Sequence, residues 1–223
     1  MCGRYSLAPK PAQKEALQLD APLPPDWKPR YNIAPTQASW VLLRDPQPHW
    51  ESMGWGLVPA WSRDARDAGK RINARAETAL EKPSFRDALL QRRCAVPADS
   101  FYEWRKEPDG RKLPYRILAA DEGLLWMAGI WEMWGGQRRF SILTTAPNRE
   151  MAMLHDRMPL LLPSAAARAQ WLSPAHPGAA LADMLQPPPD GLLRWYRVSE
   201  SLNAIAHDAP DLHAEVPDVW RLF

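Results

Sequence analysis

Short runs of alternating or continuous apolar residues recur along the chain, each closed by a turn signal. They fall at 39–44 (SWVLLR), 49–57 (HWESMGWGL), 94–104 (CAVPADSFYEW), 113–120 (LPYRILAA), 124–134 (LLWMAGIWEMW), 138–145 (RRFSILTT) and 194–199 (RWYRVS). Pro108-Asp109-Gly110 and Gly135-Gly136 separate neighbouring runs; proline presets φ at such turns and glycine tolerates positive φ. Period-two alternation rich in aromatic and β-branched side chains predicts strands of an antiparallel-rich sheet system. The opening MCGRYSL predicts one more short strand, and the proline-rich residues 21–35 predict an irregular segment.

Helical patterns are fewer. Residues 11–19 (PAQKEALQL) predict a helix, as do 84–93 (SFRDALLQRR), where Ser84 is a candidate cap and Phe85, Ala88 and Leu89 share a face. Residues 147–154, 165–172 and 179–185 predict three more. Helices interrupt the strands without the regular strand–helix alternation of a doubly wound sheet. The expected fold is therefore α+β: a single domain over residues 1–223 with an antiparallel-rich, curved or barrel-like β core flanked by short helices. Residues 186–190 (QPPPD) read as a loop rather than a linker between domains.

Composition changes this picture little. The 223 residues suffice for a substantial core, and 46% apolar with 24% charged residues is ordinary for a globular chain. The 24 prolines favour loops and strand ends, and most of the 12 tryptophans are expected to fill the core. No apolar run is long enough for export or for spanning a membrane, so a cytoplasmic protein is expected. Only Cys2 and Cys94 are present, which excludes a disulfide framework and a CxxC metal pattern. No cofactor or metal is expected. Net charge is +2, but residues 61–116 hold 14 of the 28 Lys and Arg against 9 of the 26 Asp and Glu. That local excess of positive charge is either a phosphate footprint or a solvated face of mixed charge.

Candidate chemistry begins at Cys2. A small residue at position 2 favours removal of Met1, which leaves a free α-amine beside a thiol. Such an amine titrates at about 7.7–8.0, so part of it is unprotonated at neutral pH and forms a Schiff base with an aldehyde. The thiol can then close on the imine carbon to give a five-membered thiazolidine. A cysteine inside the chain cannot, because its nitrogen is held in a peptide bond. Position alone favours the plainer reading of a small terminal residue with no role.

Further segments alter the balance: RYNIAPTQ at 30–37, WGLVPAWS at 55–62, INARAET at 72–78, PADSFYEW at 97–104, ILTTAPN at 142–148 and HDRMP at 155–159. With MCGRY ahead of them, this series in this order resembles the SOS-response-associated peptidase family, whose members crosslink to abasic sites through an N-terminal cysteine. The resemblance spans roughly residues 2–160, with a looser match through 198–203. It implies that Cys2 is the nucleophile, that Asn73 hydrogen-bonds and orients the reacting group, that Glu103 is a catalytic carboxylate and that His155 assists the Schiff-base chemistry. These types suit the reaction. Imine formation must protonate a departing hydroxyl, which a buried carboxyl with a raised pKa can do, and histidine transfers protons near neutrality. Apart from the resemblance, Glu103 reads as a strand carboxylate paired with an arginine, Asn73 as a turn residue and His155 as a satisfied histidine near a helix end. The other histidines, His49, His176, His207 and His213, read as surface residues, and Cys94 as a buried inert thiol.

The expected partner is single-stranded DNA containing an abasic site, bound by a monomer that is nucleoid-associated while on DNA. Arg4, Arg75 and Arg157 each lie within two residues of a proposed catalytic position, where guanidinium groups suit flanking phosphates. Trp61 and Trp104 are candidates for stacking on bases. The resemblance adds a wedge loop at Ile33-Ala34-Pro35 and backbone contacts from Asn32 and Thr144. Three positions depart from the family pattern: Ser100 replaces a usual glycine, Ser62 follows Trp61 where a second aromatic is common, and Pro147 interrupts an alanine-rich stretch. Two other functions fit the same residues. A Cys2-dependent thiol protease or N-terminal-nucleophile hydrolase, able to remove its own Met1, would use Asn73 as an oxyanion donor and the Cys2 α-amine or His155 as base. A non-catalytic single-strand-binding module would leave Cys2 without a role.

Overall fold

A computed structural model describes residues 2–174 and 178–217. Its strands are β1 (Arg4–Leu7), β2 (Arg30–Ile33), β3 (Ala38–Arg44), β4 (Pro48–Trp55), β5 (Asn73–Arg75) and β6 (Arg93–Ala98). They continue as β7 (Ser100–Lys106), β8 (Lys112–Ala119), β9 (Leu125–Trp134), β10 (Gln137–Thr145), β11 (Met158–Pro159) and β12 (Leu193–Arg197). The helices are α1 (Pro11–Asp20), α2 (Ala76–Ala79), α3 (Arg86–Gln91), α4 (Arg149–Ala152), α5 (Ala165–Leu172) and α6 (Gly178–Met184).

Two sheets form the β core. The first is antiparallel throughout and ordered β12-β8-β7-β1-β2. In the second, β10, β4, β3, β6 and β9 follow in order and β9 pairs back onto β10, closing a five-stranded barrel. The β10–β4 pairing is parallel and the other pairings around the barrel are antiparallel. The barrel-like α+β fold expected from the strand patterns is what forms. Closure leaves no edge on the barrel strands, which removes a template for aggregation.

One buried apolar cluster takes side chains from both sheets. Tyr5 of β1 meets Trp55 of β4 edge-on at 5.1 Å, and Trp55 stacks on Phe140 of β10 at 6.4 Å. These contacts press the start of the chain against the barrel. β6 is buried along its whole length, so it reads as a continuous apolar run rather than an alternating one. Its Pro97 is tolerated because β3 pairs with β6 only at Leu42 and Ala95, two residues before the proline.

Four local expectations need correction. Residues 94–104 form two strands in different sheets, β6 and β7, split at Asp99. The Asp99 carboxylate turns the corner by accepting from Ala8 N (2.6 Å), the Ser6 hydroxyl (3.0 Å) and Arg116 Nη2 (2.8 Å). The segment 21–35 is not wholly irregular: β2 pairs with β1, and Asp208 accepts from the Tyr31 and Asn32 amides. α3 starts two residues later than expected without a serine cap; a turn at Lys82 O receives the Phe85 and Arg86 amides instead, and Arg93 belongs to β6. α4 is only one turn, capped by Asn148, whose Oδ1 accepts from Met151 N at 3.1 Å. α5 forms where expected, with Ser164 as its cap.

β10 is the strand that assembles the site. Each of its edges is shared by two strands in succession. After β4 ends, β5 continues along the same edge, with Ile142 opposite Asn73 and Thr144 opposite Arg75. On the other edge β11 follows β9, with Thr144 opposite Pro159. Segments about 80 residues apart in sequence thus meet across Thr144.

Candidate active site at the amino terminus

Cys2 precedes β1 and is fully buried. Its carbonyl accepts from Asn73 Nδ2 at 2.8 Å. That bond fixes the amide orientation, since only the nitrogen can donate to a carbonyl. Asn73 Oδ1 is buried and receives no hydrogen bond from a described residue, which leaves an acceptor open next to Cys2. The Cys2 thiol lies 3.9 Å from the Arg4 carbonyl oxygen. Burial, reinforced by the negative charge of Glu103, pushes the thiol pKa well above its ordinary value.

Glu103 lies on β7, in register with Tyr115 of β8, and is buried. β1 pairs with β7 at Arg4–Tyr102, so extending that register one step sets Gly3 opposite Glu103. Desolvation raises the Glu103 carboxyl above the usual carboxylate range, against an opposing pull from His155. His155 Nε2 stands 4.0 Å from Glu103 Oε2. On its other side, the Arg157 amide donates to His155 Nδ1 at 3.0 Å. An accepting Nδ1 puts the proton of a neutral ring on Nε2, facing Glu103. Asp156 Oδ1 lies 2.8 Å from the same Nδ1.

The structure brings Cys2, Asn73, Glu103 and His155 together from four separate segments. Arg4, Asn32 and Trp104 adjoin them. Arg4 Nη1 donates to Asn32 Oδ1 (2.7 Å) and Leu202 O (2.8 Å), and its guanidinium lies 5.8 Å from the Trp104 ring centroid. Asn32 is buried, and its Nδ2 serves the Leu202, Ala204 and His207 carbonyls. Trp104 Nε1 donates to Asn203 Oδ1 at 2.9 Å. Thr144 is buried beneath Arg157, whose Nη2 donates to its carbonyl at 2.7 Å. Arg75 is exposed and makes no ion pair with a described residue.

Trp61 is 65% exposed, in a segment carried past Gly56. At φ +132° a Cβ on Gly56 would lie 2.4 Å from the Ala68 carbonyl oxygen, so only glycine fits this approach. Ala34 is buried and Pro35 half-buried, leading into Thr36 at φ 72°. A β-branched residue with positive φ is strained. Thr36 N is tied to Trp55 O at 2.7 Å, which holds the turn.

Sequence reasoning missed several supporting residues. Asn203 lies at the end of the looser match at 198–203 and Asp208 beyond it, and Glu77 and Asp156 lie inside the matching segments INARAET and HDRMP without a role attached to them. Ser100 is not an idle replacement for glycine: its hydroxyl contacts Ser6 Oγ (2.6 Å) and accepts from Arg116 Nε (2.7 Å). His213 is no surface residue either. Its side chain is 17% exposed and 3.6 Å from Asp99, and burial lowers its pKa to about 4. His176 lies outside the described residues. Cys94 is a buried free thiol, as expected. Among the described residues no group of three or more His, Cys, Asp or Glu can hold a metal ion, and no helix is long and apolar enough to cross a membrane.

A buried cysteine near the start of the chain, met by an asparagine, a carboxyl and a histidine, defines a class of candidate amino-terminal-cysteine proteins. The family model for the SOS response associated peptidase (SRAP) matches residues 1–205, and the chain belongs to that family. The abasic site processing protein YoqW of Bacillus subtilis is 37% identical, over 95% of this chain and 98% of that protein. The abasic site processing protein YedK of Escherichia coli is 30% identical over the same shares of the two chains. HMCES of Gallus gallus, also named an abasic site processing protein, is 30% identical over 84% of this chain and 68% of its own length. A crystal structure of a Bacteroides thetaiotaomicron protein superposes with a TM-score of 0.84 at 28% identity, covering 97% of this chain and all of that one.

Proposed function

We propose that this chain processes abasic sites by capturing them covalently in single-stranded DNA, through the amine and thiol of Cys2 after Met1 is removed. The observation that carries the reading is the convergence of Asn73, Glu103 and His155 on Cys2. The names of the relatives support the substrate.

The chemistry runs as follows. The Cys2 nitrogen attacks the aldehyde carbon of the ring-opened abasic deoxyribose, and the oxygen takes up a proton to give a carbinolamine. Glu103, whose carboxyl desolvation raises above the usual carboxylate range, donates a proton to the hydroxyl, which leaves as water. The resulting iminium returns a proton to the carboxylate, so Glu103 is regenerated. The Cys2 sulfur then adds to the imine carbon and its proton moves to nitrogen, closing the thiazolidine. One water is lost overall. Asn73 Oδ1 is the acceptor for the N–H of the attacking amine, and His155 Nε2 relays protons beside Glu103. A raised thiol pKa does not prevent closure, because the ring step is intramolecular and the imine carbon is a strong electrophile.

A thiol hydrolase needs a thiolate at neutral pH. Burial opposes one at Cys2, which makes the amine-first reaction the better reading. The test is to incubate Met1-free protein with single-stranded DNA bearing one abasic site and measure intact mass. The expected product weighs one water less than its two components and is absent with intact DNA and with Cys2→Ala. No product from correctly processed protein would overturn the reading, and Cys2-dependent cleavage of peptides would then favour the hydrolase.

A further inference from the structure

Arg157 has little left to offer a phosphate. Its Nη1 and Nη2 make a bidentate pair with Glu77 at 2.7 and 2.8 Å, Nη2 also donates to Thr144 O, and the side chain is 14% exposed. Glu77 follows β5 by two residues, and Thr144 lies between Arg75 and Pro159 on β10. The pair therefore straps the loop carrying His155 to the corner carrying Asn73. A fork-to-fork pair fixes direction as well as distance. What it fixes here is the Arg157 backbone, whose amide donates to His155 Nδ1.

We propose that Glu77 is a positioning residue that acts through Arg157 to set the tautomer of His155. Two arrangements compete for Nδ1. With the Arg157 amide donating, Nδ1 accepts and Nε2 carries the proton toward Glu103. With Asp156 Oδ1, 2.8 Å away on a side chain that is 87% exposed, Nδ1 carries the proton and Nε2 presents a lone pair instead. The Glu77–Arg157 strap holds the first arrangement. Released, the loop lets the exposed Asp156 carboxylate draw the proton to Nδ1. Three carboxylates thus govern the ring: Glu103 facing Nε2, Asp156 facing Nδ1, and Glu77 through the Arg157 backbone.

The proposal rests on His155 acting in Schiff-base chemistry, so its test has one arm that does not depend on capture. Long-range proton–nitrogen NMR of the His155 ring should find the Nε2–H form in the Met1-free parent and a mixture of tautomers in Glu77→Gln. In single-turnover assays with saturating abasic single-stranded DNA, Glu77→Gln should form adduct about tenfold more slowly, while its affinity for intact single strands stays within twofold of the parent. Glu77→Asp, which keeps the charge, should recover part of the rate. An unchanged tautomer overturns the proposal. So does tighter, more salt-dependent binding by Glu77→Gln at an unchanged adduct rate, because Glu77 would then merely hold Arg157 back from phosphate. If the parent forms no adduct, the capture reading fails, and the NMR arm still decides the role of Glu77. Thermal unfolding checks that each variant is folded. Should Glu77→Gln not fold, Arg157→Lys, which keeps the charge but loses the fork, is read by the His155 tautomer alone: a mixture of tautomers supports the proposal and an unchanged Nε2–H form overturns it.

Discussion

Glu103 is kept near Cys2 in a state that favours the proton it has to give, and that state has a thermodynamic cost. A carboxyl whose folded pKa is raised contributes stability that is complete below its unfolded pKa and is lost as pH rises through the folded value. As pH rises from the ordinary glutamate range through the raised folded value, the buried Glu103 carboxyl therefore works increasingly against folding. Glu103→Gln should melt at a higher temperature than the parent at pH 7, with the difference shrinking below the ordinary glutamate range. The same change should slow adduct formation by about a hundredfold, within the usual span for a lost general acid. Calorimetry across pH and single-turnover gel assays check the two halves separately. Ser100 carries a plainer consequence. Removing its hydroxyl leaves Arg116 Nε without that acceptor, so Ser100→Ala should lose about 1–2 kcal/mol in urea unfolding.

At the scale of elements, the segment from Gly56 to β5 delivers two different things. It presents Trp61 to solvent and brings Asn73 beside Ile142 on β10. An exposed indole separates binding from stability. Trp61→Ala should leave the unfolding midpoint nearly unchanged yet weaken single-strand binding by about 1–3 kcal/mol, the usual worth of one stacked base. Gly56→Ala should do the reverse kind of damage. Its Cβ meets the Ala68 carbonyl at positive φ, so unfolding should cost about 2–3 kcal/mol less, with the loop and Asn73 displaced together. Fluorescence-detected DNA titration beside urea denaturation distinguishes the two variants. The strands bearing Glu103 and Thr144 were readable from their apolar patterns. β5 and β11 were not, because strands of three and two residues show no periodicity and exist only by pairing with β10.

Across the whole molecule, the excess of positive charge in residues 61–116 is only partly available to a phosphate backbone. Arg93 is bound to the Leu89, Leu90 and Trp171 carbonyls, Arg92 to Glu132, Arg105 to Glu107 and Arg116 to Asp99. Arg75 stands exposed beside the site. Affinity for intact single strands should accordingly fall with salt only modestly. Arg75→Gln should flatten the log–log slope by about 0.7, the release of one counterion from single-stranded DNA. Titrations at several salt concentrations read this directly, and an unchanged slope would remove Arg75 from the DNA contact.

The sequence alone determined the chemistry on offer and most of the strands. A cysteine at position 2 has a reactivity that no interior cysteine shares, and apolar periodicity follows from which faces must leave water. Motif order along the chain singles out Asn73, Glu103 and His155. Only the tertiary structure decided how those groups face one another and which charges are already spent. Asn73 reaches the Cys2 carbonyl because β5 borrows the edge of β10 that β4 vacates. Arg157 turns to Glu77 and Thr144, and Asn32 to the loop at 202–207, because those partners come from segments remote in sequence. Hydrogen bonds and ion pairs between distant segments leave no period in the chain; they arise when the barrel closes and its buried polar groups must find partners there.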